Sequence, residues 1–266
     1  MLIAQISDTH ITPKGELLYG RLDSSVNLAL VVRQIFQLDT LPDCVLLTGD
    51  LTDRGQPGAY AHLREILRPL TMPIYAIPGN HDRREAMRAA FSDCPWMPQA
   101  ADEPIRYSFE MGKLRIVALD TLVEGQDAGA LGADQLAWLD DRLAAARDRP
   151  VIVMLHHPPV KSGIPSMDAM RLRSPGEFGR VIERHSNVER VICGHLHRSM
   201  HVRWRGTTVS VSPSTVDQIF LAFQRHTPPA AISEPMGFQL HYWDDDDRLI
   251  THVAAVGEFD GPFPYD

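Results

Sequence analysis

Residues 190–197 read RVICGHLH: a β-branched apolar run, a glycine, then two histidines on either side of one leucine. The run Arg190–Cys193 lacks polar alternation, as expected of a strand covered on both faces. In an open α/β sheet the functional crevice lies beyond the carboxyl ends of the strands. His195 and His197 sit at such an end, so their meaning depends on what other strand ends bring to the same edge.

The pattern recurs along the chain. LIAQIS ends in Asp8-Thr-His10, CVLLTG in Asp50, PIYAIPG in Asn80-His81-Asp82 and VIVMLH in His156-His157. An acid after a strand is ordinarily a turn or helix-cap residue, and RIVALD, which ends in Asp120 with no histidine beside it, is read that way. The five ends that carry His, Asp or Asn together are read as one convergent cluster. Gly49, Gly79 and Gly194 precede Asp50, Asn80 and His195, where they permit sharp turns and close approach.

Helical spacing separates several of these runs. SSVNLALVVRQIFQL reads as a helix capped by Ser24 or Ser25, PGAYAHLREILRPL opens at Pro57, GADQLAWLDDRLAAARD follows from Gly132 and PGEFGRVIERH from Pro175. Strand–helix alternation predicts an α/β layered fold. After His197, MHVRWRGTTVSVSPST and GFQLHYWDDDDRLITHVAAV alternate like half-exposed antiparallel strands, with Asp244–Asp247 as a solvated turn. The Pro- and Ala-rich piece at roughly 217–237 reads as a loop or lid. No repeat or linker divides the chain, so a single domain over 1–266 is expected, with a C-terminal strand and lid segment from about 200 to 266.

With 44% apolar and 23% charged residues the chain is an ordinary globular protein. Its net charge of −8 and the absence of a Lys/Arg stripe argue against binding a nucleic-acid polymer. Cys44, Cys94 and Cys193 are odd in number and far apart, which fits free thiols in a reducing compartment. The N-terminus lacks a basic n-region, and no apolar run approaches the roughly 20 residues of a membrane span. A cytoplasmic protein without membrane contact is expected.

The candidate ligands combine carboxylates, imidazoles and one amide oxygen, with no thiolate. That excludes a cysteine-type structural zinc site and suits Zn²⁺, Mn²⁺, Fe or Co²⁺. Asp8, His10, Asp50, Asn80, His156, His195 and His197 are too many for one ion and suit two divalent ions sharing a bridging carboxylate.

The motifs DTH, GDLTDRG, GNHD, HHPP and GHLH, in that order, resemble the calcineurin-like metallophosphoesterase superfamily. LYGRLDS, IPSMDAMRL and the closing GPFPYD resemble its class III cyclic-nucleotide phosphodiesterase branch, which includes bacterial glycerophosphodiesterases. The resemblance implies a four-layer αββα sandwich, with the late strands in the second sheet or a small cap. It implies that Asp8, His10 and His197 hold one metal, that Asn80, His156 and His195 hold the other, and that Asp50 bridges them. The expected activity is hydrolysis of a small phosphodiester, a 3′,5′-cyclic nucleotide or a glycerophosphodiester, by a water activated between the two ions. His81 would contact the phosphoryl group or protonate the leaving alkoxide, and Asn80 would also face the substrate.

Around these residues, Asp53 stands where some superfamily phosphatases use an acid to orient the histidine of GNHD, but close relatives do not all keep an acid there and it reads first as a loop residue. Arg54 is a weaker candidate for a phosphate contact, and Asp82 and His157 orient ligands or cap turns. Asp217 occupies a position where relatives often carry histidine facing the substrate. An acid there disfavours a second negative charge and fits a diester better than a monoester. The branch forms dimers or larger assemblies through its late strands, so a homo-oligomer is expected. A phosphomonoesterase, a nucleotide pyrophosphatase and a non-catalytic scaffold of the same fold are the alternatives. Degenerate scaffolds lose ligands, whereas every ligand position and His81 are filled here.

Overall fold

The computed structural model describes residues 1–265; Asp266, the last residue of the expected domain, lies outside the described residues. β1 (Leu2–Ile6), β2 (Cys44–Leu47) and β3 (Ile74–Ala76) pair in parallel, with Ile6 opposite Leu47 and Leu47 opposite Ala76. α1 (Ser24–Phe36) and α2 (Pro57–Leu67) connect them, and α3 (Arg84–Ala90) follows. A second sheet is built on β4 (Tyr107–Met111), β5 (Leu114–Ala118), β6 (Val151–Met154) and β7 (Val188–Cys193). In it β5, β6 and β7 are parallel, linked through α4 (Ala133–Ala144), α5 (Pro165–Met170) and α6 (Pro175–Glu183).

Two-residue alternation along the second sheet explains the four layers. Val117, Val153, Val191 and Val209 pack with Leu139 and Leu143 of α4 and with Phe178, Val181 and Ile182 of α6. The intervening Ile116, Ile152 and Ile192 join the core that also contains Leu28, Val31 and Ile35 of α1 and Leu63 of α2. The order through the molecule is therefore helix, sheet, sheet, helix. Strands whose sequences show no polar alternation are those covered from both sides.

The late chain divides between both sheets instead of staying with the second or forming only a cap. β8 (Met200–Trp204) and β9 (Thr207–Val211) extend the second sheet, giving the order β4-β5-β6-β7-β9-β8. β10 (Gln218–Ile219) and β11 (Ala231–Ile232) form a separate ribbon inside the expected lid. β12 (Gly237–Trp243) and β13 (Leu249–Ala255) cross to the first sheet, where β12 pairs antiparallel with β1. Ile3 to Ile6 are fully buried, and the edge of β1 that β2 leaves open must be covered.

Asp23, not Ser24 or Ser25, caps α1: its carboxylate accepts from the backbone N–H groups of Ser25 and Val26. A carboxylate is favoured there by the helix dipole, and Ser24 lies buried inside the first turn. Asp244–Asp247 form the turn between β12 and β13, where Arg248 pairs with Asp244 and Asp246. Between the sheets, the Gln5 amide donates to Thr48 Oγ1 and the Cys193 carbonyl, and His241 Nε2 donates to Gln5 Oε1. Cys44, Cys94 and Cys193 are free. Among the described residues no helix is long and apolar enough to cross a membrane.

Candidate metal centre

The loops that leave β1, β2, β3, β6 and β7 at their carboxyl ends carry Asp8 and His10, Asp50, Asn80, His156, and His195 and His197. Asp50 is the centre of the group: its Oδ2 lies 3.6 Å from His10 Nε2 and 3.4 Å from His156 Nε2. On one side His197 Nε2 stands 3.0 Å from His10 Nε2 and 3.5 Å from Asp8 Oδ1. On the other, Asn80 Oδ1 lies 3.2 Å from His156 Nε2 and 2.9 Å from His195 Nδ1. The donors of Asp8, His10, Asp50 and His197 all fall within 4.8 Å of one another.

Glycine makes this convergence possible. A Cβ on Gly194 would strike Ser7 Oγ and come 2.8 Å from Asp8 Oδ2 and 2.9 Å from the Thr48 carbonyl. One on Gly79 would strike the Asp50 carboxylate and backbone nitrogen, and one on Gly49 (φ +95°) the His156 ring. The released space is used directly: the His195 N–H donates to both Asp8 carboxylate oxygens at 3.0 and 3.1 Å, and the His81 N–H donates to Asp50 Oδ1 at 2.9 Å.

Backbone strain is concentrated on the same residues. Asp8 (φ 54°), His10 (42°), Asp50 (48°), His195 (69°) and His197 (52°) all occupy the left-handed region. Each costs on the order of 1–3 kcal/mol and persists only where surrounding structure enforces it, as at ligand clamps and active sites.

The donor chemistry fits divalent cations. His156 Nδ1 donates to the Thr48 carbonyl (2.8 Å) and His197 Nδ1 to the Asp217 carbonyl (2.9 Å), which leaves Nε2 of each ring facing the cluster as a lone-pair donor. Burial pushes His195 and His197 down, His195 well below the ordinary range with help from His157 and His156, which favours the unprotonated imidazole a metal ligand must be. At His156 burial is opposed and outweighed by Asp50, so its pKa rises to about 9. Burial likewise opposes ionisation of Asp50, yet the neighbouring His156 and His81 hold its carboxyl well below the usual range. Divalent ions held there would neutralise the carboxylates and favour the unprotonated imidazoles.

Asp82 holds two of the ligand loops together. Its carboxylate accepts from Leu51 N (3.0 Å), Thr52 N (3.2 Å), Thr52 Oγ1 (3.1 Å), Gly79 N (2.9 Å) and the Tyr60 hydroxyl (2.7 Å). Burial, and then the charge of Asp50, keep its carboxyl above the usual range despite these donors. Tyr60 also accepts from Arg83 N, and Ser214 Oγ donates to the Asp8 carbonyl. Tyr60 carries no motif and Ser214 reads only as part of the PST stretch before Asp217; their partners lie on other loops, so only the fold reveals what they hold.

His157 comes within 4.6 Å of the His195 ring but offers no free lone pair. Its Nδ1 accepts from Thr121 Oγ1 (2.7 Å), its Nε2 donates to the Asp127 carbonyl (3.1 Å), and burial pushes it down to about 3. It packs behind the ligands. Asp120 pairs with Arg84 and accepts from Ile105 and Leu122 backbone nitrogens, the structural role expected of it.

His81 lies at the open side of the cluster with its ring edge-on to His10, centroids 4.6 Å apart. Its Nδ1 donates to the Asp53 backbone carbonyl at 2.8 Å, while the Asp53 carboxylate stands 3.8 Å away, equally far from His10 Nδ1. Asp53 thus orients His81 through its carbonyl. Arg54 projects into solvent and reaches back only to Asp53. Asp217 touches the cluster through its carbonyl, not its acid: the carboxylate is buried and ion-paired with Arg21. LYGRLDS reads only as a stretch resembling the class III branch; neither Arg21 nor Tyr19 is a metal-ligand type, so no role for either follows from the sequence. Desolvation of the Tyr19 hydroxyl, then the charges of Asp53, Asp50 and Asp217, push it up to about 12.

A two-sheet sandwich with acids, imidazoles and an amide gathered around one carboxylate defines a dinuclear phosphoesterase scaffold, and residues 1–199 match the calcineurin-like phosphoesterase family. The chain belongs to that family. A probable glycerophosphodiester phosphodiesterase of Arcobacter nitrofigilis is 34% identical over 266 residues, covering 100% of this chain and 97% of the relative. The 3′,5′-cyclic adenosine monophosphate phosphodiesterase of Escherichia coli is 33% identical over 217 residues, 81% of this chain and 76% of that one. A dimetal phosphatase from Danio rerio shares the fold with a TM-score of 0.70 at 15% identity, covering 96% and 98% of the two chains.

Proposed function

We propose that this protein is a binuclear metal-dependent phosphodiesterase acting on small diesters, 3′,5′-cyclic nucleotides or glycerophosphodiesters. The observation that carries the reading is Asp50 Oδ2 standing between His10 Nε2 and His156 Nε2, with a further ligand set on either side. In this reading Asp8, His10 and His197 hold one ion, Asn80, His156 and His195 the other, and Asp50 both. Fe, Mn, Zn or Co, which accept mixed nitrogen and oxygen ligands, are the metals. Bound there, the ions would acidify water and neutralise phosphoryl oxygens.

The chain's own groups supply the rest. His81, tied by Nδ1 to the Asp53 carbonyl, keeps Nε2 for a phosphoryl oxygen or for proton delivery to the leaving alkoxide. Asn80 and its neighbours form the floor on which the phosphoryl group rests. Asp82 keeps the Asp50 and Asn80 loops in register, so that binding energy is not spent on ordering them. The names of the relatives support the two substrate classes. We place the protein in the cytoplasm as a homo-oligomer that engages neither nucleic-acid polymer nor membrane, in keeping with its net charge of −8 and free cysteines.

The test is hydrolysis of bis(p-nitrophenyl) phosphate against p-nitrophenyl phosphate by metal-reconstituted protein. The diesterase reading expects the diester to be preferred; a strong preference for the monoester would establish a phosphomonoesterase instead. Cyclic AMP, 2′,3′-cyclic AMP and glycerophosphocholine, each with each metal in turn, then rank the natural substrate classes.

A further inference from the structure

The loop Leu18–Leu22 folds back on itself: Leu18 and Leu22 exchange backbone hydrogen bonds, and Tyr19 and Gly20 take left-handed conformations at φ 52° and 68°. The buried Leu18 anchors this hairpin, and Arg21 is carried outward on it, its guanidinium carbon 5.9 Å from the Tyr19 ring centre. The partner of Arg21 is Asp217, whose carboxylate is only 4% exposed while the arginine side chain is 49% exposed. Asp217 in turn holds the back of His197 through its carbonyl. The couple is therefore an oriented dipole beside a candidate ligand, negative end inward and positive end toward solvent.

We propose that Arg21 is a specificity-determining residue that selects against diesters whose second alcohol is cationic, such as choline and ethanolamine esters, and favours those whose alcohol is neutral or anionic. The inference rests on the phosphodiesterase reading above. A cation on the substrate meets the guanidinium before it can meet the buried carboxylate. With one buried carboxylate balancing one exposed guanidinium, the distance difference sets the sign. A single charge pair screened at a half-exposed surface is worth roughly three- to tenfold in kcat/KM. Asp217 taken without Arg21 argues for the opposite preference, because a bare acid would attract a cationic alcohol.

The experiment compares substrates that all release p-nitrophenolate: p-nitrophenyl phosphorylcholine, its uncharged isostere 3,3-dimethylbutyl p-nitrophenyl phosphate, in which only the charge of the second substituent differs, and ethyl p-nitrophenyl phosphate. Wild-type protein loaded with Mn²⁺ is expected to prefer the neutral esters to the choline ester. Arg21→Gln is expected to shift that ratio toward choline by roughly three- to tenfold, and Arg21→Lys to keep it. A purely structural role in anchoring the hairpin would lower all substrates together, and an unchanged ratio in Arg21→Gln overturns the proposal. A ratio lost in Arg21→Lys as well would also overturn it, because charge would not be the cause. If wild-type protein hydrolyses none of the esters with any metal, the phosphodiesterase reading itself fails, an outcome separate from an altered ratio.

Discussion

Removing the Asp82 carboxylate should loosen both the fold and the metal centre, because one side chain satisfies donors from two ligand loops and a helix. In Asp82→Ala the backbone N–H groups of Leu51, Thr52 and Gly79 and the Tyr60 hydroxyl lose their acceptor in a region where Asp82, Leu51, Thr52 and Tyr60 are fully buried. An unsatisfied buried donor costs about 1–3 kcal/mol. Water entering the vacated volume recovers part of this, and the charge itself no longer has to be buried. The net is then about 3–5 kcal/mol, the range seen when a buried charged network loses one member. Because Leu51 and Thr52 follow Asp50 and Gly79 precedes Asn80, metal affinity should fall about 10- to 100-fold, as when groups behind metal ligands are removed. Urea unfolding of metal-stripped protein measures the first quantity and Mn²⁺ titration the second. Tyr60→Phe removes a single one of these bonds and should cost about 1–2 kcal/mol. A loss below about 1 kcal/mol in Asp82→Ala, with metal affinity unchanged, would refute the view that this carboxylate organises the site.

Gly194→Ala should lower metal affinity and diesterase activity by at least about 100-fold, because its Cβ displaces Ser7 and Asp8 and ligand geometry shifts by the order of an ångström; wild-type-like activity would contradict the close-approach argument. His81→Ala should retain its metals but lose about 10²–10⁴-fold on an ester with an alkyl leaving group, and much less when p-nitrophenolate leaves, if the imidazole delivers a proton. Equal losses on both would assign His81 to phosphoryl contact instead. His241, buried between the sheets, is held neutral at a pKa of about 3 by burial and then by Arg190. Its unfolded form takes up a proton below about 6.5, so stability present above that pH is lost as pH falls from 6.5 toward 3. The loss reaches about 2 kcal/mol by pH 5. His241→Gln should remove that share of the acid sensitivity, and parallel stability–pH curves for the two proteins would contradict it.

The clustering of the candidate ligands was legible in the sequence because strand-end chemistry is local: an apolar run followed by Asp, Asn or His marks each contribution wherever its strand lies. The helices starting at Pro57 and Pro175 were equally visible, since proline announces a first turn. What the sequence did not disclose depends on contacts across the fold. The crossing of β12 to the edge of β1 follows from how that edge is covered, which local alternation cannot express. The cap of α1 went to Asp23 over adjacent serines on electrostatic grounds. Tyr60 and Arg21 act through Asp82 and Asp217, partners 22 and 196 positions away. Asp217 was visible as a departure, but its charge could be weighed only once Arg21 was seen beside it.

The measurement that bears most directly on the central claim is the number of divalent ions needed to restore activity. Protein stripped with chelator and titrated with Mn²⁺ or Co²⁺ should recover bis(p-nitrophenyl) phosphate hydrolysis as two ions bind per chain. Asn80→Ala and His195→Ala should each weaken the second binding event and the rate together. Full activity after chelation, saturation at a single ion, or unchanged rates in both variants would contradict a centre built from two ions around Asp50.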